Sequence, residues 1–153
     1  MSMESVMSAP ALLIRTFENK DLESVTSLMR ELNYPTTLNV LREQMESMAC
    51  NPGCCNMIAE LDGKVVGMIM LRQVKSYTKI DSITQITSLI VTSTCRSQGI
   101  GKRLVRGGEN WGKQQGSNLL FLTSGNREGL APAHAFFEHI GFEKAGYQFT
   151  KQL

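Results

Sequence analysis

The densest chemistry in this chain lies in one stretch, SLIVTSTCRSQGIGKRLV, from Ser88 to Val105. A β-rich run ends in the turn Arg96-Ser97-Gln98-Gly99-Ile100-Gly101, and a helical pattern follows. A helix start has unpaired N–H groups and the positive end of the helix dipole. Glycines at that point let a phosphate approach the backbone closely. The unit therefore suits an anionic phosphate group. The Walker pattern is absent, and Leu104 stands where the third glycine of a dinucleotide fingerprint belongs. Taken alone, the segment is either a phosphate cradle of some other kind or a plain strand-to-helix turn.

The remaining reactive side chains form no comparable pattern. Cys50, Cys54 and Cys55 cluster and Cys95 stands apart. Their spacing is not that of paired C-x2-C zinc ligands, and His134 and His139 are distant in sequence, so no metal is expected. The first ten residues, MSMESVMSAP, lack the basic and apolar regions of a secretory leader. Reduced thiols and a cytoplasmic location are the expectation.

The elements that position the loop can be read from periodicity. A chain of 153 residues, 42% apolar and 20% charged, is long enough for one domain with a real core. Its formal charge of +2 is too small for a nucleic-acid surface, and no apolar run approaches a membrane span. Residues 1–10 read as a flexible tail and 11–153 as the single domain. The segment 11–17 is a strand. Leu22, Val25, Leu28, Met29 and Leu32 form a stripe over a helix from about 21 to 32, with Asn19 as its cap. A second helix spans about 37–48, capped by Thr36. Strands over 55–61 and 64–72 flank Asp62-Gly63, a hairpin signal. A polar loop over 73–81 leads to the strand 82–91, and a helix follows over 99–115. Residues 118–123 read as a strand and 132–140 as a helix. One or two short strands are expected in Phe142–Leu153. The order β-α-α-β-β-β-α-β-α-β is that of a mixed α/β sheet rather than a doubly wound one.

With these elements in place, the chain resembles the GNAT superfamily of N-acetyltransferases. Arg96, Gly99 and Gly101 match its [RQ]-x-x-G-x-[GA] motif, and AHAFFEHIGF, residues 133–142, is similar to its second acetyl-CoA motif. The resemblance covers nearly the whole chain. It implies a mostly antiparallel sheet of six to seven strands flanked by about four helices, splayed between the fourth and fifth strands. It also implies acetyl-CoA as donor, with no metal. The backbone of Leu89, Ile90 and Val91 would hold the pantetheine arm, and the amides from Ser97 to Lys102 (Ser97, Gln98, Gly99, Ile100, Gly101, Lys102) would hold the pyrophosphate. Asn126, His134 and Phe137 would line the rim near the thioester. A homodimer acting on a small-molecule or protein amine is the family expectation, with no nucleic-acid or membrane partner.

The departures concern proton transfer. Phe136-Phe137 stands where many members have a tyrosine phenol, and Gln85 stands where some carry a glutamate base. The loop between Arg127 and Ala133 is about three residues longer than the family pattern. An amine of pKa about 10.4 must lose a proton before it attacks. A water relay to Glu31, Glu43 or Asp81 is one route; Glu31 and Glu43 read otherwise as solvated helix surface. Backbone N–H groups near Leu89 or Ile90 would serve the carbonyl oxygen. Carboxylates at Glu31 and Glu43, beside Tyr34, would favour a basic acceptor over an anionic one. Besides the enzyme, Gln85 and Phe137 leave open a non-catalytic acyl-CoA-binding or regulatory module.

Overall fold

The computed structural model describes residues 11–75, 82–96, 98–124 and 131–153. The expected tail over 1–10 lies outside them. Chain order is β1 (Leu12–Thr16), α1 (Leu22–Glu31), α2 (Leu38–Ala49), β2 (Cys54–Leu61), β3 (Lys64–Val74), β4 (Ile83–Val91), α3 (Ile100–Gln114), β5 (Leu120–Phe121) and α4 (Ala131–His139). The sheet follows sequence order, β1-β2-β3-β4-β5. Its first three pairings are antiparallel and β4–β5 is parallel.

Both faces of the sheet are covered, so the strands are apolar on both sides rather than alternating. On one face, α1 and α2 pack Leu22, Val25, Leu28, Leu41 and Met45 on Ile58, Met68 and Ile90. On the other, Ile100, Leu104 and Val105 of α3 pack on Ala59, Ile69, Leu71 and Ile86, with Trp111 at the margin. The Gly107-Gly108 pair is explained by close approach. A Cβ at Gly108 would lie 3.1 Å from Leu71 Cδ2, and one at Gly107 would lie 3.1 Å from Met57 Sδ. Each glycine costs the helix about 1 kcal/mol against alanine, which the closer packing offsets.

The Asp62-Gly63 hairpin forms with both residues at positive φ, 50° and 84°, as a two-residue turn matched to strand twist requires. Other boundaries differ from the sequence expectation. Thr37, not Thr36, caps α2, accepting from the Val40 N–H at 3.2 Å. Asn19 begins a short 3-10 turn, and Asp21 stands at the start of α1. The reason is long-range. The Asp21 carboxylate takes two bonds from the Arg15 guanidinium, at 2.7 and 2.8 Å, and a third from the Glu18 N–H at 2.8 Å. Arg15 also donates to Glu60 on β2 at 3.0 Å. Hydrogen bonding to Arg15 holds the Asp21 carboxyl below its ordinary range, against the opposing effect of burial.

The sheet has five strands among the described residues, fewer than the six or seven expected. Phe142–Leu153 contains no strand, and β5 occupies only two residues of the expected 118–123. Tyr147 and Phe149 are each 92% exposed, so beyond Phe142, which packs on the core, the segment has the composition of a strand but no surface to bury against. Strand propensity is realised only through such a surface.

Candidate active site

The site is built on an irregularity in β4. Met70 of β3 is opposite Ser88, and the next residue, Leu71, is opposite Ile86. Thr87 is therefore an extra residue, a β-bulge, and its hydroxyl donates to the Met70 carbonyl at 3.2 Å. The bulge resets which way the strand faces. Thr84 directs its N–H to Leu119 beside β5, whereas Thr92 directs its own to Val66 on β3. Strict alternation would send both to the same side. Beyond the bulge, the N–H and C=O groups of Leu89 and Val91 thus point away from β3, and those of Ile90 point toward it. Side chains confirm the reversal. Ile86, Leu89 and Val91 all belong to the α3 face, while Ile90 belongs to the α1–α2 face.

β5 pairs with β4 only at Thr84 and Gln85. From Ile86 to Val91 this edge has no strand neighbour among the described residues. The expected splay is thus present, and Leu89 and Val91 face it with backbone groups. The closed end is pinned by a ring of side chains. Gln73 Nε2 donates to Thr84 Oγ1 at 2.9 Å, Thr84 Oγ1 to Ser117 Oγ at 2.7 Å, and Ser117 Oγ to Gln73 Oε1 at 2.9 Å.

At the other end, α3 begins on Gly99, which adopts a left-handed conformation with φ 79°. A Cβ there would touch nothing within 4 Å, so the backbone twist, not space, calls for glycine. Gly101 is different, because its Cβ would lie 3.1 Å from Cζ of Phe136. That contact seats α4 against the start of α3 and joins the two sequence motifs in space. Gln98 and Lys102 are exposed, as is Arg96, and Ile100 is buried. Ser97, Asp81 and Asn126 lie outside the described residues.

His134 Nε2 is 3.1 Å from Ser124 Oγ, tying α4 to the segment after β5. Phe137 packs edge-on between Phe136 and Phe142, at centroid distances of 5.3 and 5.7 Å. Glu43 is exposed on α2. Glu31 is not simply solvated. Its Oε1 accepts from Thr92 Oγ1 at 2.8 Å, from the Ser93 N–H at 3.0 Å and from Ser93 Oγ at 2.8 Å. The Ser93 N–H, foremost among these bonds, holds its carboxyl below the ordinary value. The C-terminus of α1 is thereby bound to the start of the loop carrying Arg96 and Gly99. Sequence reading missed Arg72, whose Nε donates to Gln85 Oε1 at 2.8 Å. Only the β3–β4 register brings these two residues together.

A separate cleft of about 540 Å³ runs between α1 and the β2–β3 hairpin, lined by Arg15, Asp21, Glu31, Glu60, Lys64 and Thr92. Its central cation, Arg15, is already engaged by Asp21 and Glu60. Among the described residues no group of three or more His, Cys, Asp or Glu side chains is placed to hold a metal ion.

Proteins similar in sequence and in fold are known. Over 151 residues the chain is 28% identical to the aminoalkylphosphonate N-acetyltransferase of Salmonella typhimurium, covering 98% of this chain and 96% of that one. It is 35% identical over 97 residues to human N-acetyltransferase 8, covering 63% of this chain but spanning only 42% of that protein. A GNAT family acetyltransferase from Staphylococcus aureus superposes with a TM-score of 0.79 at 25% identity, over 94% of this chain and 99% of that one. An aminoglycoside N-acetyltransferase in complex with CoA shares the fold at a TM-score of 0.86 and 16% identity, over 97% and 98% of the two chains. The family model of the GNAT acetyltransferases matches residues 21–142, taking in both α1 and α4, and the chain belongs to that family.

Proposed function

We propose that this protein transfers an acetyl group from acetyl-CoA to a primary amine by direct attack within a ternary complex. The observation that carries this reading is the open edge of β4 beyond Gln85, leading to the amides at the start of α3. The pantetheine arm runs along Leu89–Val91 as an added strand would. The pyrophosphate sits on the amides that lead into and begin α3, from Gln98 through Lys102, with the Arg96 and Lys102 charges nearby. His134 and Phe137 border the thioester. As the amine attacks, charge builds on the carbonyl oxygen, and a preorganised N–H stabilises it. Leu89 supplies that N–H, because the backbone of Ile90 is turned toward β3.

Proton transfer is modest in its demands. A thiol of pKa about 8.5 leaves as thiolate without a strong acid, so Phe137 need not be a tyrosine. The amine gives its proton to water, with Asp81 as a carboxylate within the same reading. Glu31 is withdrawn from that role, since its carboxylate binds Thr92 and Ser93. The argument for a cationic acceptor weakens with it. We take the acceptor to be a small amine, as the name of the Salmonella relative indicates for that enzyme. We also propose a cytoplasmic homodimer. Four free thiols suit a reducing compartment, and exposed Tyr147, Phe149 and Leu153 suit a self-association surface.

The test is calorimetric and kinetic. Acetyl-CoA should raise Tm by mass action, and a suitable amine should accelerate release of CoA thiol. Tight acetyl-CoA binding with no amine-dependent thiol release would favour the alternative, a non-catalytic acyl-CoA-binding module, which Gln85 and Phe137 keep in play. Absence of any Tm shift would overturn both.

A further inference from the structure

We propose that Arg72 binds an anionic head group on the acceptor, so that the preferred acceptors are short amines bearing a phosphonate or carboxylate. This inference rests on the acetyltransferase reading and names its substrate class.

Along β3, Met68 and Met70 pack beneath α1 and α2, and Arg72 is the next residue on that face. The helical cover ends before it, and Arg72 is exposed. It makes no ion pair among the described residues. Its one side-chain hydrogen bond among the described residues uses Nε, donated to Gln85 Oε1 at 2.8 Å. That bond fixes the guanidinium plane and leaves both terminal nitrogens to bind a ligand. Two parallel N–H donors match the oxygens of a carboxylate or phosphonate in a bidentate pair.

Position decides which substrate this anion belongs to. Arg72 is opposite Gln85, near the closed end of the splay, whereas the donor's phosphates belong at the α3 start, beyond Val91. Six residues of β4 separate Gln85 from Val91, about 20 Å at roughly 3.3 Å per residue. An anion at Arg72 is therefore on the acceptor, not on CoA. Along β3, Arg72 is only three residues from Ile69, the partner of Leu89, about 10 Å away. The long arginine side chain spans part of that gap. The acceptor's amine and anion must then lie only a few bonds apart. Glutamine at position 85 fits the same picture. A glutamate there would neutralise the guanidinium, whereas the amide oxygen orients it and leaves its charge available.

The experiment compares four amines with acetyl-CoA: 2-aminoethylphosphonate, β-alanine, ethanolamine and putrescine. The two anionic amines should show the highest kcat/KM, and their ranking distinguishes a phosphonate site from a carboxylate site. Arg72→Gln and Arg72→Lys should each raise KM for the anionic amines at least about tenfold, the scale of losing a hydrogen bond to a charged group. The KM for acetyl-CoA and the rate with ethanolamine should stay within about threefold, as additivity for distant sites requires. Gln85→Leu, which removes the orienting oxygen, should act in the same direction with a smaller effect. A purely structural Arg72–Gln85 pair would instead lower Tm and leave the preference among amines untouched. Equal use of ethanolamine or putrescine, or an unchanged KM in Arg72→Gln, would overturn the proposal while leaving the acetyltransferase reading intact. Failure of every amine to release CoA from a demonstrably bound acetyl-CoA would overturn both.

Discussion

The two ends of β4 are held by opposite means. At Thr84 and Gln85 the strand has neighbours on both sides, and a closed ring of Gln73, Thr84 and Ser117 locks it to the segment leading into β5. At Leu89 to Val91 it has, among the described residues, a strand neighbour only on the β3 side. There the adjoining residues Thr92 and Ser93 are anchored by the Glu31 carboxylate of α1. A fully paired strand leaves no backbone group for a ligand. A strand with one unpaired edge is floppy unless something else fixes its end. The closed end sets the angle of the cleft, and the open end supplies its hydrogen-bonding groups, so changes at the two ends should separate stability from binding.

The largest effect should come from the open end. Gly99→Val places a β-branched residue at φ 79°, a left-handed strain of about 1–2 kcal/mol. It should also abolish the stabilisation by acetyl-CoA, which is about 2.7 kcal/mol at a hundred times Kd. A Tm shift with acetyl-CoA equal to that of the wild type would sink the assignment of the phosphates to the α3 start. At the closed end, Gly112→Val would drive a Cβ to 2.9 Å from Thr84 Oγ1. Overpacking of this kind costs about 1–3 kcal/mol. Denaturant unfolding should register that loss, while the Kd for acetyl-CoA stays near the wild-type value. Loss of CoA affinity without loss of stability would invert the proposed division between the ends.

Glu31→Gln should raise the acetyl-CoA KM by about two- to fivefold, the modest scale of exposed charged contacts, and leave the acceptor KM unchanged. The pH dependence follows from the lowered pKa. Its folded value lies below the unfolded value, so its contribution is complete above about 4.5 and is lost as pH falls through the folded value. Acetyl-CoA affinity of the wild type should weaken in that acidic window, and Glu31→Gln should not show this component. Smallest of all, Phe137→Tyr should change kcat by less than tenfold, since a thiolate of pKa about 8.5 is already a competent leaving group. A hundredfold gain would mean that departure of the thiolate limits turnover.

What could be read from the sequence was whatever local chemistry decides. Asp62-Gly63 must turn, the Leu22-Val25-Leu28 stripe must face a core, and Gly99 must end a loop, because each follows from a few adjacent residues. Thr36 and Thr37 have the same capping chemistry, so nothing local distinguishes them. The start of α1 depends on Arg15 reaching Asp21 and Glu60, the latter on another strand. The same holds in the site. Leu89-Ile90-Val91 is apolar at every position, so it conceals the change of face that the bulge imposes. Glu31 and Arg72 look like surface charges until the fold sets them beside Ser93 and Gln85. The Phe142–Leu153 segment erred the other way, because its residue types favour a strand but the described sheet pairs none of it.

Thr87 also governs what kind of change this strand can absorb. Exchanging one side chain for another along β4 alters a contact. Removing one residue at the bulge alters the parity of everything after it. Leu89 and Val91 would move from the α3 core into the α1–α2 core, Ile90 would make the opposite journey, and the N–H groups facing the cleft would turn into β3. Divergence within such a strand should therefore proceed by substitution at constant length, with gains and losses of residues confined to the loops at either end.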